Sequence, residues 1–284
     1  MHPTLLHLGH ITLPTFGLLA AVGLMAALSL ALRCAPLVHL EPDTLWNTTL
    51  FAVIAAFVLS RLLLVVTNLH SFLSYPILIL TLPSLTGLGL LLTGVAVVVY
   101  LRLRRLPIVA VLDAWSAPAT LLWAFLALGH LAEGSDPGLP SRAPWAVRIL
   151  PDPDLQQPIG LFAALAAILF TGVLFRYLRR SDTPGNTAAL ALFFVGTAQF
   201  LLSFLRQPFP YAPDAPAFPL DPIQLLALAM VIGACLLYLA VRSRMSRAAH
   251  PPAAPYPYTP QAASHAAPQP TPRAEPAAIT GEAR

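Results

Sequence analysis

Four side chains in this sequence could do chemistry in surroundings that otherwise offer little: Arg61, Arg206, His130 and Glu133. A guanidinium is a planar fork of donors that matches phosphate oxygens two at a time, so two arginines suit an anionic, phosphate-bearing headgroup. His130 and Glu133 stand three residues apart, which puts them on one face of a helix. They could serve as acid and base, form a hydrogen-bonded structural pair, or contribute to a metal site. Two ligands fall short of the three or four that zinc takes, so we expect no metal and no cofactor. The plainer alternatives are that Arg61 snorkels its charge to an interface and that Arg206 is an interfacial anchor at a helix end.

The elements that position these residues follow from composition. Of the 284 residues, 57% are hydrophobic and only 10% charged, with a mean hydropathy of +0.73. Soluble domains carry roughly 25% charged residues. Stretches such as Ile11–Leu32 and Leu62–Leu101 hold no charge at all, and a hydrocarbon core needs about 20 apolar residues per helix. The chain therefore reads as an all-α integral membrane protein, a bundle of about seven transmembrane helices. The spans fall near Pro14–Arg33, Leu45–Val66, Ser84–Tyr100, Pro107–Leu131, Ile159–Phe175, Ala188–Leu205 and Pro222–Val241. The first basic residue, Arg33, follows the first apolar run. That run is therefore expected to stay as a span rather than be removed as a signal peptide.

Every one of the 16 basic residues is arginine. Arg33, the group Arg102, Arg104 and Arg105, the group Arg176, Arg179 and Arg180, and the group Arg242, Arg244 and Arg247 follow spans one, three, five and seven. With seven spans all four clusters land on one side, which by the positive-inside rule is the cytoplasm. The N-terminus is then outside and the C-terminus cytoplasmic. No basic stripe interleaved with aromatics suggests nucleic acid as a partner. Residues 1–247 form the membrane domain, and 248–284 read as a disordered Pro/Ala-rich cytoplasmic tail with too little apolar content to fold. Cys34 and Cys235 are in distant segments without metal or redox spacing and are expected to pack.

This topology sends the polar residues to the outer leaflet. Arg61 lies roughly 24 Å along span two at ~1.5 Å per residue, close to its outer end. Arg206 closes span six, His130 and Glu133 close span four, and Thr86 and Gly87 open span three, all at the same surface. Gly87, Gly89 and Gly94 are candidates for close helix packing. Asp113 is different: it lies near the cytoplasmic start of span four, before Ala117–Pro118, where the expectation is that it satisfies backbone groups freed by the proline. The outer loops Ser135–Gln157 and Gln207–Asp221 are Pro-rich and suited to semi-rigid covers.

Taken in order, these features resemble the bacterial prolipoprotein diacylglyceryl transferases over about Leu8–Arg247. An arginine late in span two is Arg61. The family's Asp and Ala-Pro in span four are Asp113 and Ala117–Pro118. Its signature Arg-x-Gly-Asn-x-x-Asn-Gly-Glu aligns without a gap on Ala127-Leu128-Gly129-His130-Leu131-Ala132-Glu133-Gly134-Ser135. A His-Pro-x-Gln stretch corresponds to Gln157–Pro158, the end of span six to Val195–Gly196 and Arg206–Gln207–Pro208, and Gln224 in span seven also matches. The departures are chemical. Thr86 stands where the family has histidine, Ala127 and Gln199 where it has arginine, and Ser203 where it has glutamate.

The resemblance implies transfer of the diacylglyceryl group of phosphatidylglycerol to the cysteine thiol of a lipoprotein signal peptide, in the bacterial plasma (inner) membrane. Such a reaction needs a base for the thiol and cations for the departing glycerol phosphate. Threonine cannot be a base near neutral pH. The residues left for the task are therefore His130 and Glu133 as catalytic groups, with Arg61, Arg206, Gly87, Gly129 and Gly134 lining the lipid site. Phosphatidylglycerol or another anionic phospholipid and the prolipoprotein signal peptide are the expected partners. A non-catalytic relative that binds anionic lipid or a lipoprotein precursor is the alternative favoured by the four substitutions. A small-molecule transporter is the third, opposed by the lack of internal repeats and of charges at mid-bilayer.

Overall fold

The computed structural model describes residues 4–8, 11–70, 87–148, 154–181, 183–207 and 220–249. Seven helices account for nearly all of it: α1 Thr15–Cys34, α2 Pro42–Thr67, α3 Gly87–Leu103, α4 Ile108–Glu133, α5 Ile159–Leu178, α6 Asn186–Ser203 and α7 Pro222–Ala249. Six of them are long and apolar enough to cross a membrane, and α3, with 17 residues, is apolar but shorter. Residues 84–86, with which the expected third span begins, lie outside the described residues, as do residues 250–284 of the tail. The chain is thus the all-helical membrane protein that its apolar runs predict. Two short antiparallel ribbons add to the helices: β1 Thr4–Leu8 with β2 Ile11–Pro14, and β3 Val147–Arg148 with β4 Leu155–Gln156.

Because lipid is as apolar as leucine, helices in a membrane are held less by burial than by close packing of small residues. The bundle is built that way around α4. Half of its apolar window is buried, against 11% for α2, and it packs on α1, α5 and α6. Gly23 of α1 faces Phe125, and a methyl added there would sit 2.5 Å from the Phe125 Cβ. Gly160 of α5 lies on the Ala127 carbonyl, where the same methyl would reach to 2.6 Å. Ala127, Ala163 and Ala164 form a buried cluster with Ile159 and Leu202. Thr120 of α4 and Thr171 of α5 share a hydrogen bond of 2.9 Å. On one flank α1 carries α2, which carries α3; on the other, α6 carries α7. Exposed side chains such as Met25, Phe57, Leu91 and Leu169 supply the lipid-facing surface.

Asp113 departs from the sequence expectation. Its carboxylate does not serve the backbone around Pro118. Oδ1 accepts the Ala188 N–H at 2.7 Å and Oδ2 accepts the Gly185 N–H, so a side chain of α4 caps the first turn of α6. The reason is one of hydrogen-bond sign. A proline inside a helix leaves a carbonyl without its donor, and a carboxylate only accepts. A helix N-terminus supplies unpaired donors, and Gly185, with φ +99°, turns the chain so that they face Asp113.

Candidate functional site

The C-terminal ends of α4 and α6 and the N-terminal end of α5 meet at a single extended strap. α4 stops at Gly134, whose φ of 76° is the left-handed value glycine adopts freely, and the Gly134 N–H closes the helix on the His130 carbonyl at 2.8 Å. From there the chain runs outward through Ser135 and Asp136 and then along the rim. The Leu139 N–H donates to the Leu205 carbonyl at 2.8 Å, and the Gln207 N–H donates to the Pro137 carbonyl at 3.3 Å. On the strap's other edge, the Gln157 N–H donates to the Leu139 carbonyl at 3.0 Å and the Ser141 N–H to the Leu155 carbonyl at 2.8 Å. The strap is therefore a short strand laid between the exit of α6 and the entry to α5. Gly138 is required in it, because any Cβ there would collide with the Gln157 carbonyl oxygen.

Side chains lock the strap from above. The Trp145 indole N–H donates to Gln157 Oε1 at 3.1 Å, and Gln157 Nε2 donates to Ser141 Oγ at 2.8 Å. In the described part of this Pro-rich loop, the backbone groups of Leu139, Ser141 and Gln157 are paired rather than left to water.

This strap brings two of the candidate residues to one place. His130 is exposed at the last turn of α4, with its ring 4.8 Å from that of Phe16 and its Nδ1 2.7 Å from Ser135 Oγ. One residue on, Asp136 Oδ2 lies 2.9 Å from Arg206 Nη2. Arg206 is only 20% exposed, and its Nε–H is buried with no partner among the described residues. Gly129, Glu133 and Gly134 belong to the same corner. Gly129 makes room for Phe16, since an added methyl would lie 2.7 Å from that ring. Glu133 is exposed, and the described hydrogen bond of His130 goes to Ser135 rather than to it.

Arg61 and Gly87 belong to a different helix pair, α2 and α3. Ser60 of α2 packs directly on Gly89 of α3, so their neighbours Arg61 and Gly87 flank one helix crossing. Arg61 borders a shallow apolar depression with Phe57, Val58, Leu62 and Val65 of its own helix. In the series of packed helices α1 and α4 stand between α2 and α6. The described contacts do not join Arg61 to Arg206. Thr86 lies outside the described residues.

The positions where the resemblance replaces charge are filled by packing. Ala127 is 5% exposed against Gly160. Ser203 Oγ turns back to the Phe200 carbonyl at 2.6 Å, and Gln199 Oε1 is buried without a partner among the described residues. Sequence reasoning did not single out Ser135, Asp136 or Trp145. The Asp136–Pro137–Gly138 run is a turn signal, and it was the one available hint that the acid after Gly134 is held in a fixed geometry.

A helical bundle that crosses a membrane several times and carries a structured rim of arginine, histidine and carboxylate side chains at one end defines a polytopic membrane protein with an interfacial polar site. The family model for prolipoprotein diacylglyceryl transferase matches residues 3–240, and the chain belongs to that family. A phosphatidylglycerol–prolipoprotein diacylglyceryl transferase of Clostridium tetani (strain Massachusetts / E88) is 20% identical over 217 residues, covering 72% of this chain and 86% of the relative.

Proposed function

We propose that this chain carries out the reaction for which its family is named, in the plasma membrane of a bacterium, with its N-terminus and strap outside and its arginine clusters in the cytoplasm. The observation that carries this reading is the strap itself. One six-residue reach from His130 to Ser135 and Asp136 sets an imidazole and a guanidinium at the same corner.

In this reading Arg206 holds the phosphate of phosphatidylglycerol, and Arg61 at its own helix crossing serves as a separate headgroup contact beside Gly87. With Nδ1–H donating to Ser135, the His130 Nε2 lone pair accepts the proton of the signal-peptide thiol. The sulfur then forms a thioether bond to the glyceryl carbon. The bond from that carbon to the phosphate oxygen breaks, and glycerol phosphate leaves with the electron pair, its charge met by Arg206. In the same reading Glu133, exposed on that turn, takes the proton onward to water.

The test is conversion of a cysteine-bearing lipoprotein signal peptide by the purified chain in phosphatidylglycerol liposomes, read as the mass gain of one diacylglyceryl group. Conversion by the wild type and its loss in His130→Asn are expected. Undiminished conversion in His130→Asn overturns the assignment of the base. A chain that retains phosphatidylglycerol but converts no peptide supports the second reading, a lipid-binding relative without transferase activity. That reading is favoured by Ala127 and Ser203, which have turned charged family positions into packing contacts.

A further inference from the structure

The opposite end of the bundle carries a second site. Between the turn after α1, the end of α3, the start of α4 and the α5–α6 connection lies an open cleft of about 1000 Å3. Its inner wall is apolar, formed by Leu37, Val38, Leu106, Ile108 and Leu178. Its mouth is polar, with His39, Arg102, Ser181 and Thr183. An apolar wall leading to a cationic, hydroxyl-bearing mouth is the profile of a site for an amphiphile, not for a small soluble ion.

Thr187 gives the cleft its direction. It lines the cleft, its side chain is completely buried, and its Oγ1 has no hydrogen-bond partner among the described residues. Buried hydroxyls in folded proteins are almost always paired, so an orphan hydroxyl inside a cleft points to a group that enters and pairs with it. The neighbouring donors are not available for the task. The Gly185 and Ala188 N–H groups are taken by Asp113, and the Asn186 side-chain amide donates to Thr183 Oγ1. Asp113 is also accounted for, because both its oxygens are engaged by the first turn of α6 and its charge is set against the positive end of that helix. The cationic groups of the mouth remain. Arg102 is exposed at the end of α3, and His39, at φ 58°, is held outward by the 3-10 turn Ala35–Val38, its N–H bonded to the Pro36 carbonyl at 3.3 Å.

The geometry points to a binding site for an anionic phospholipid of the leaflet at this end, with the phosphate on Arg102 and His39, a headgroup hydroxyl on Thr187 and an acyl chain along the Leu37–Leu106–Leu178 wall. This site is separate from the strap at the other end of α4 and does not depend on the reaction proposed there. It retains lipid rather than transforming it.

Native mass spectrometry of the full chain in detergent, incubated with dioleoyl phosphatidylglycerol or dioleoyl phosphatidylcholine, tests it. An Arg61→Gln/Arg206→Gln background removes both outer headgroup contacts. In that background one phosphatidylglycerol should be retained in preference to phosphatidylcholine. Adding Arg102→Gln should lower the retained fraction by about tenfold, as expected for one lost charge-assisted contact. Thr187→Val should lower it several-fold and Thr187→Ser should restore it. Arg102 is exposed, so its replacement leaves the packing intact and the result interpretable even where a Thr187 variant folds poorly. Equal retention with and without Arg102 overturns the site. Displacement of the lipid by millimolar glycerol phosphate overturns the lipid reading in favour of a free phosphate ester, whereas resistance to it supports the acyl contact.

Discussion

Asp136 Oδ2 stands 2.9 Å from Arg206 Nη2, and the two residues come from loops that the strap holds side by side, with Gly138 bridged to the Arg206 backbone. The pair is about one-fifth exposed on either side, so its own contribution to stability is modest, about 0–1 kcal/mol as for other accessible ion pairs. Its larger effect is on occupancy. A carboxylate already resting on the guanidinium is the competitor any incoming phosphate must displace. Asp136→Asn should therefore bind phosphatidylglycerol several-fold more tightly while changing thermal stability little. Arg206→Gln should weaken binding about tenfold, and Arg206→Lys should recover only part of it, because an ammonium keeps the charge and loses the fork. Titrations with phosphatidylglycerol nanodiscs read all three. Weaker binding in Asp136→Asn would show that the carboxylate positions Arg206 instead of competing for it.

The strap can be tested through its tightest point. Gly138→Ala forces a methyl onto the Gln157 carbonyl, a backbone atom that cannot rotate away. Overpacking of this kind costs about 1–3 kcal/mol. The melting temperature in detergent should fall by several degrees, and phosphatidylglycerol binding at the strap should fall with it. Gly172→Ala in α5 is the matched control, since nothing among the described residues lies within 4 Å of a Cβ placed there. Equal melting temperatures for the two variants would mean that the strap is not fixed between α5 and α6.

Asp113 joins two helices that the sequence separates by 72 residues at the Gly185 bond. Asp113→Ala should leave buried N–H groups at Gly185 and Ala188 without acceptors, at about 1–3 kcal/mol for each unsatisfied group. Asp113→Asn retains one acceptor oxygen and should fall between alanine and wild type. Differential scanning fluorimetry orders the three. A melting temperature for Asp113→Asn below that of Asp113→Ala would show that the added amide donors clash there and that the cap is not the dominant role.

The spans were legible because the bilayer imposes a length that any apolar run of the right size declares, and the described helices begin and end within a few residues of those runs, except that α7 continues past Val241 to Ala249. The corner of His130, Gly134 and Arg206 was legible too, since each residue closes or follows an apolar segment at the same end. What the sequence hides is pairing across elements. Asp113 reads as a partner for Pro118 because the two are neighbours in one helix, and nothing local announces that its acceptors meet donors at Gly185 and Ala188. In the same way Arg61 and Arg206 look alike as terminal arginines. Only the packing order, with α2 on α1 and α6 on α4, assigns them to different neighbourhoods.

The base assignment gives the last prediction. His130 is fixed on two sides, by the Phe16 ring at 4.8 Å and by Ser135 Oγ at 2.7 Å. The first contact packs the imidazole against an aromatic ring, and the second engages Nδ1, as donor or acceptor according to the tautomer. If Nε2 is the base, the two neighbours act through orientation and the ring itself acts through chemistry, so their removal should have effects of different size. General-base catalysis is worth about 10²–10⁴-fold. His130→Asn should remove all of that from kcat for signal-peptide conversion, while leaving phosphatidylglycerol binding intact, since Arg206 and Asp136 do not depend on the imidazole. Ser135→Ala should cost far less, about tenfold, because the correct tautomer remains populated without its hydrogen bond. Ser135→Thr should restore the rate if its methyl group is accommodated beside the exposed ring. Glu133→Gln should lower the rate less than His130→Asn, as an onward acceptor that water can replace. An equal loss in His130→Asn and Glu133→Gln would make the two a coupled acid–base pair, and the Ser135 contact would then be only structural.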